Sequence, residues 1–126
     1  MNASTAPIQG FPRTPTLVAV ANAVEIANTS ANAVMSYTPT GNVLIRATVS
    51  LTVTTATTTV TLSASWTDPN GGAQTYTWEN VASVPIGVRL ELPIVVAAQA
   101  SQQVSVNVTA GTANQVYVTG ALERMM

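Results

Sequence analysis

The chain lacks three residue types that are frequent in catalytic or metal-binding sites. Among its 126 residues there is no cysteine, no histidine and no lysine. Without cysteine there is no disulfide, no thiolate metal ligand and no cysteine nucleophile. Without histidine and lysine, the many serine and threonine hydroxyls lack the bases that usually activate them as nucleophiles. We therefore expect a protein that is not an enzyme and that has no catalytic residue and no cofactor.

Charge is scarce as well. Four arginines and five acidic residues make up 7% of the chain and give a net charge of −1, where roughly a quarter of residues are charged in typical proteins. The arginines are scattered, whereas binding to a phosphate backbone needs clustered positive charge, so we expect no nucleic-acid partner. A Ca²⁺ site takes about six to eight oxygen ligands, and five dispersed acids predict no metal site. The low net charge also lowers the barrier to self-association.

Membrane insertion is not expected either. No stretch of the sequence is long and apolar enough to cross a bilayer. The first ten residues, "MNASTAPIQG", lack the basic start and the apolar run of a signal peptide. We expect no membrane partner. If the protein leaves its cell, we expect it to do so by lysis or inside an assembled particle.

The residues that are abundant favour β structure, because β-branched threonine and valine pack well on a pleated sheet. The clearest strand is 43–53, where apolar side chains alternate with Arg46, Thr48, Ser50 and Thr52. Residues 16–28 are ambiguous, since their alanines would tolerate a helix, but the short spacing to the next strand favours β. About eight such segments predict a two-sheet antiparallel β domain. They cover residues 16–28, 33–38, 42–54, 58–67, 73–80, 86–94, 102–111 and 115–123.

The N-terminal residues 1–16 differ from the rest of the chain. They contain three prolines and show no periodicity. Because proline lacks a ladder donor and restricts the residue before it, they predict an extended arm that precedes a β domain over 17–126. One interpretation is a frayed terminus. The other is an arm that docks on another subunit, with Ile8 and Phe11 as its apolar anchors.

The segment "DPNGG" at 68–72 is the strongest turn signal. Its proline, asparagine and first glycine fit a type I turn closed by a left-handed residue in a three-residue hairpin. This geometry pairs residue 68 with residue 72 and places apolar residues opposite each other. The predicted pairs are Trp66 with Gln74, Ala64 with Tyr76, and Leu62 with Trp78.

Two further features of this hairpin have alternative interpretations. Asp68 and Glu79 could be paired carboxylates, but aspartate is favoured at this turn position for its own backbone hydrogen bonds. The aromatic residues Trp66, Tyr76 and Trp78 could form a platform on which sugars stack. Their shared face with Leu62 favours a place in the core instead.

In order and spacing, these segments resemble the C1q/TNF-like jelly-roll family over roughly residues 17–124. The family has an aromatic residue, a proline and a glycine before a long strand, as at Tyr37, Pro39 and Gly41. "PIGVRLELP" and the closing "VYVTGALERM" are similar to later family motifs. The resemblance implies a two-sheet antiparallel jelly-roll sandwich and a homotrimer.

The departures from the family narrow the expected function. The chain has no collagen-like stalk and no cysteine, which argues against hormone-like or complement-like roles. Compact, threonine-rich forms of the fold resemble virion proteins of tailed phages, such as capsid decoration proteins or fibre tips. We therefore expect a structural virion protein, assembled in the host cytoplasm, that binds partners such as a major capsid protein or a fibre. The alternative is a receptor- or glycan-binding module at a fibre tip or on a bacterial surface.

The resemblance also implies which residues contact other subunits. It places 43–53, 86–94 and 115–123 side by side in the sheet that faces neighbouring subunits. If the core is filled by Val43, Ile45, Val88, Leu90, Val116 and Val118, alternation turns the intervening side chains outward. The predicted subunit-interface residues are Leu44, Arg46, Arg89, Glu91 and Tyr117. The alternative is that the charged members are ordinary surface residues, which contribute little to stability.

Overall fold

The computed structural model describes residues 15–55 and 57–125, which form two antiparallel β-sheets packed face to face. The first sheet has the order β1-β9-β3-β6, with β7 also paired to β3, and the second has the order β2-β8-β4-β5. The strands are β1 Thr16–Glu25, β2 Asn32–Tyr37, β3 Val43–Val53, β4 Thr58–Thr67, β5 Ala73–Val84, β6 Gly87–Leu90, β7 Ile94–Ala98, β8 Val104–Ala110 and β9 Val116–Arg124.

This arrangement confirms the predicted all-β jelly-roll sandwich. It also confirms that the segments around 43–53, 86–94 and 115–123 are neighbours in one sheet. No helix in the described part of the chain has the length and apolar character needed to cross a membrane. The anchors Ile8 and Phe11 lie outside the described residues, so the docking arm and its boundary at residue 16 stay predictions.

The core lies between the sheets and follows the alternation of the central strands. In β3, every second side chain from Ile45 to Val53 is buried, because one face of this strand is covered by the second sheet. Val104, Val106 and Val108 of β8 meet it from that sheet. Burying each such aliphatic side chain stabilises the fold by about 1.5 to 3 kcal/mol.

The ambiguous segment near the N-terminus is a strand, and two irregularities explain its weak alternation. The register of β1 against β9 shifts between Leu17 and Ala19 and again between Ala21 and Val24. Within the second shift, Ala23 adopts a φ of 50° and its N–H donates to Thr119 Oγ1 at 3.1 Å. Each bulge inserts one residue into the strand, so the alternation of apolar and polar residues is interrupted at that point.

The β4–β5 hairpin has the predicted turn. The N–H of Asp68 donates to the carbonyl of Gly72 at 2.8 Å, and Gly71 has a φ of 90°. The carboxylate of Asp68 accepts hydrogen bonds from the backbone of Asn70 and Gly72 and from Gln74 Nε2. These bonds, that of Gly72 first, lower the pKa of Asp68. Asp68 therefore stabilises the turn through its own backbone hydrogen bonds, as the second interpretation of this residue predicted.

The register farther along the hairpin is only partly as predicted. Trp66 lies opposite Gln74 and Ala64 lies opposite Tyr76, in agreement with the prediction, but Leu62 lies opposite Glu79 rather than Trp78. The reason is a register shift between Leu62 and Ser63, where β5 contains an extra residue. Because a one-residue shift reverses the faces of a strand, the carboxylate of Glu79 is on the buried side.

The segment 86–94 differs most from its prediction. Leu90 lies opposite Ser50 and Ile94 lies opposite Ala47. Between these two pairs the edge segment therefore contains one residue more than β3. The extra residue falls in the break between β6 and β7, which contains Pro93, a residue without a ladder donor. The side chains before the break therefore face the opposite side from the one predicted, whereas Val96 after the break is buried.

The prediction that Val88 and Leu90 fill the core is consequently wrong. Val88 pairs with Thr52 and Leu90 with Ser50, both of which alternate with buried residues of β3 and so lie on the outer face. Val88 is 66% exposed and Leu90 is 83% exposed. Arg89, between them, pairs with the buried Leu51 and faces the inner side.

Candidate interaction surface

Three of the five predicted interface residues lie on the outer face of the first sheet. Leu44, Arg46 and Tyr117 alternate with buried neighbours in β3 and β9. Arg46 donates to Glu123 Oε1 from Nε at 3.0 Å and from Nη2 at 2.7 Å. The hydroxyl of Tyr117 donates to Glu25 Oε2 at 2.8 Å, and this bond raises the pKa of Tyr117. The polar groups of Arg46 and Tyr117 are thus paired within the chain.

The other two predicted residues, Arg89 and Glu91, do not face outward as expected. Arg89 reaches across the open side of the sandwich to Glu79 of β5, whose side chain is only 7% exposed. Its Nε and Nη2 atoms form three hydrogen bonds of 3.1 to 3.3 Å with the carboxylate. The pair joins the edge strands of the two sheets, and it depends on the two register shifts that turned both side chains inward.

Glu91 completes this cluster. Burial and a hydrogen bond with Glu79 raise the pKa of Glu91 to about 7. The same bond from Glu91, followed by the interaction with Arg89, lowers the pKa of Glu79. A protonated Glu91 that donates a hydrogen bond to an ionised Glu79 explains both the raised pKa of Glu91 and the lowered pKa of Glu79, because two close carboxylates cannot both ionise without repulsion. With that proton in place, the three side chains carry no net charge.

Among the residues that the structure describes, five of the nine exposed large hydrophobic side chains lie on and around the same edge. We call Ile86, Val88, Leu90, Leu92 and Val95 the β6–β7 strip. Their exposed fractions run from 56% to 83%. Exposed apolar side chains that lie together in this way often mark an interaction site. An open groove of about 370 Å³ borders the strip at Leu90, between Ser50 and Thr119.

The sequence pattern does not reveal the strip, because alternation predicts that Val88 and Leu90 lie in the core. The apolar residues alternate without interruption through the break, so periodicity alone gave the wrong face. Pro93 was the available signal, since proline within a strand pattern marks an edge strand or a bulge.

The aromatic residues of the hairpin divide between the two interpretations. Trp66 and Trp78 pack against the core, as their shared face with Leu62 predicted. Tyr76 is 42% exposed and contacts Trp78 edge to face, with ring centroids 5.6 Å apart. Trp78 Nε1 donates to the carbonyl of Leu92 at 2.7 Å, which ties the β6–β7 break to the other sheet.

The described residues contain no cluster of three or more histidine, cysteine, aspartate or glutamate side chains that could hold a metal ion.

Comparison with known proteins gives similarity at the level of structure alone. No protein-family model matches the sequence, and no curated protein matches it. The fold is similar to VP2 of infectious bursal disease virus in a subviral particle, with a TM-score of 0.60 and 9% identity over 98% of this chain and 36% of that one. It is also similar to a structure of the Gx strain of the same virus, with a TM-score of 0.54 and 10% identity over 88% and 32% of the two chains.

A mutant VP2 protein in T=1 particles matches as well, with a TM-score of 0.54 and 8% identity over 97% of this chain and 36% of the other. The chain therefore spans about one third of the length of these viral chains. The similarity supports the jelly-roll assignment, and at this identity it concerns the fold.

Proposed function

We propose that the chain is a structural protein of a virus particle and that it works by binding other particle subunits. The β6–β7 strip carries the proposal. Soluble monomers rarely expose a contiguous apolar patch of more than a few hundred Å², and larger patches mark interaction sites. A fold shared with a particle-forming viral protein over nearly the whole chain is consistent with this role.

More specifically, we propose that the protein is a homotrimeric capsid decoration or fibre-tip protein of a tailed phage. The resemblance to the C1q/TNF-like family supports the trimer, and the low charge favours self-association. Its partners are a major capsid protein or a fibre, and its location is the virion after assembly in the host cytoplasm. Leu44, Arg46 and Tyr117 lie on the face that the resemblance assigns to subunit contacts.

The test is whether the protein is part of a particle. Particles are purified on a density gradient from cells that carry the gene with its genomic neighbours, and they are labelled with an antibody to the protein. We expect the label at regular positions on the particle surface. Particles that form normally without the label, while the protein stays in the soluble fraction, contradict the proposal.

A second candidate function is glycan binding, favoured by the exposed ring of Tyr76 beside Trp78. Aromatic rings at an open edge offer a surface on which sugar rings stack. Calorimetry with a panel of surface glycans tests this function on the wild type and on Tyr76→Ala. Binding that Tyr76→Ala removes, with the fold unchanged, supports it, and absence of binding to the panel counts against it.

A further inference from the structure

We infer that the edge strand β6 binds β6 of a second copy of this chain, antiparallel and about a two-fold axis. The contact is formed by the β6–β7 strip together with the open backbone edge. This inference rests on the proposed function and deepens it by naming one surface and its partner. The backbone hydrogen bonds of this contact form at the edge of the first sheet, and the part of the outer face around Tyr117 remains available for the predicted trimer.

The edge strands differ in how well they are protected against pairing. The register shifts of β1, β2 and β5 against their neighbours disrupt the ladder at these three edges. In contrast, β6 pairs with β3 in an unbroken register from Gly87 to Leu90 and has no strand on its other side among the residues that the structure describes. On the same side of β3, β7 is also paired without a register shift, so this side of the first sheet is its regular and apolar edge, and such edges can pair with another chain.

The backbone of β6 offers the hydrogen bonds for such a pair. The N–H of Glu91 donates to the carbonyl of Val49 at 3.2 Å, toward β3. Because these groups alternate along a strand, the N–H and C=O of Val88 and Leu90 point away from β3, to the open side. Two copies paired around Arg89 would place Val88 of one copy opposite Leu90 of the other.

This pairing explains why the partner is a second copy. The edge is self-complementary, since apolar side chains meet apolar side chains on the outer face when it pairs with itself. The two Arg89 side chains would lie on the inner face, where each is already bonded to Glu79. The strip itself has no charge that would select a charged partner.

The test is the mass of the purified full chain in solution, measured by light scattering and sedimentation over a micromolar concentration series. The Leu90→Asp variant places a charge on a side chain that is 83% exposed, so the core is not altered. We expect this substitution to lower the mass to that of the monomer, or to that of the trimer if the other contact forms in solution. Leu17→Asp on β1, at a side chain that is 58% exposed, is the matched control and should keep the wild-type mass.

A second measurement uses the absence of cysteine from the chain. A mixture of Val88→Cys and Leu90→Cys chains should form intermolecular disulfides under mild oxidation, and Leu17→Cys should not. A monomeric wild type, a mass that Leu90→Asp leaves unchanged, or an equal effect of Leu17→Asp overturns the inference. A monomer that is found in particles overturns this inference alone, whereas a Leu90-dependent dimer that is absent from particles overturns only the proposed function.

Discussion

Arg89 of β6 and Glu79 of β5 join the two sheets at the open side of the sandwich. The carboxylate is buried and accepts three hydrogen bonds from a guanidinium whose side chain is 39% exposed. The two strands belong to different sheets and are not hydrogen-bonded to each other. This ion pair is therefore a direct polar link between the edges of the two sheets.

Removing the guanidinium should destabilise the fold. Arg89→Met leaves the Glu79 carboxylate without its charged partner, and we expect the free energy of unfolding to fall by about 1 to 3 kcal/mol, less than for a fully buried pair because Arg89 is partly solvated. Urea unfolding measures the change. Arg46→Met is the matched control, since it breaks a more exposed pair within one sheet, and it should cost about 0.5 kcal/mol. Equal losses in the two variants would contradict the special role of Arg89.

The stability of the fold should fall as the pH rises toward neutrality. The folded pKa of Glu91, about 7, lies above its ordinary value of 4.5. Its contribution is thus fully present below about pH 4.5 and is lost as the pH rises through about 7. The groups that face it are Glu79, whose lowered pKa acts in the separate window below pH 4.5, and Arg89, which stays charged.

Glu91→Gln separates this effect from other titrations, because glutamine retains a hydrogen-bond donor and does not ionise. We expect the urea midpoint of the wild type to decrease between pH 4.5 and 7 and that of Glu91→Gln to stay nearly constant over the same window. Parallel curves for the two proteins would mean that another group controls this range.

Gly120 marks the closest approach between β9 and its surroundings. A Cβ at this position would overlap the carbonyl oxygen of Thr48 and lie 3.0 Å from Met35 Cε. The backbone of β3 would have to move, so we expect Gly120→Ala to lower the free energy of unfolding by about 3 kcal/mol. Gly41→Ala is the control, because nothing lies within 4 Å of its Cβ, and it should be close to neutral. A Gly120→Ala protein as stable as Gly41→Ala would contradict the close contact.

The strands and the hairpin turn could be predicted from the sequence because their signals are local. The five residues 68–72 determine their own turn geometry, and alternation in 43–53 identifies both the strand and its buried face. The neighbours of the long strand followed from the resemblance to a known fold.

Alternation alone does not predict the candidate surface or the Arg89–Glu79 pair, because one inserted residue at the β6–β7 break and another in β5 change which side chains face inward. A bulge leaves the alternation intact on both of its sides but changes the phase between them. For that reason Leu62 lies opposite Glu79 instead of Trp78, and Val88 and Leu90, which were predicted to be in the core, are exposed. The partner of Arg89 was missed for the same reason, because Glu79 becomes an inward-facing residue only through the shift in β5.

The predicted trimer contact can be tested apart from the β6 edge. Tyr117 lies on the outer face in one row with Thr52 and Val88, and its hydroxyl is bonded to Glu25. Aromatic side chains with a paired hydroxyl are frequent anchors of interfaces, so we expect Tyr117→Ala to weaken the trimer at least about fivefold. Tyr117→Phe keeps the ring and should retain most of the affinity.

The measurement is sedimentation in the Leu90→Asp background, where the edge contact is removed, and in the wild type, because Leu90 itself lies on the outer face. A trimer in this background that Tyr117→Ala dissociates and Tyr117→Phe preserves supports Tyr117 as an anchor through its ring. A trimer that is indifferent to both substitutions places the contact elsewhere on the sandwich. A Leu90→Asp chain that is monomeric throughout the concentration series, while the wild type forms no trimer either, contradicts a trimer that is stable in solution.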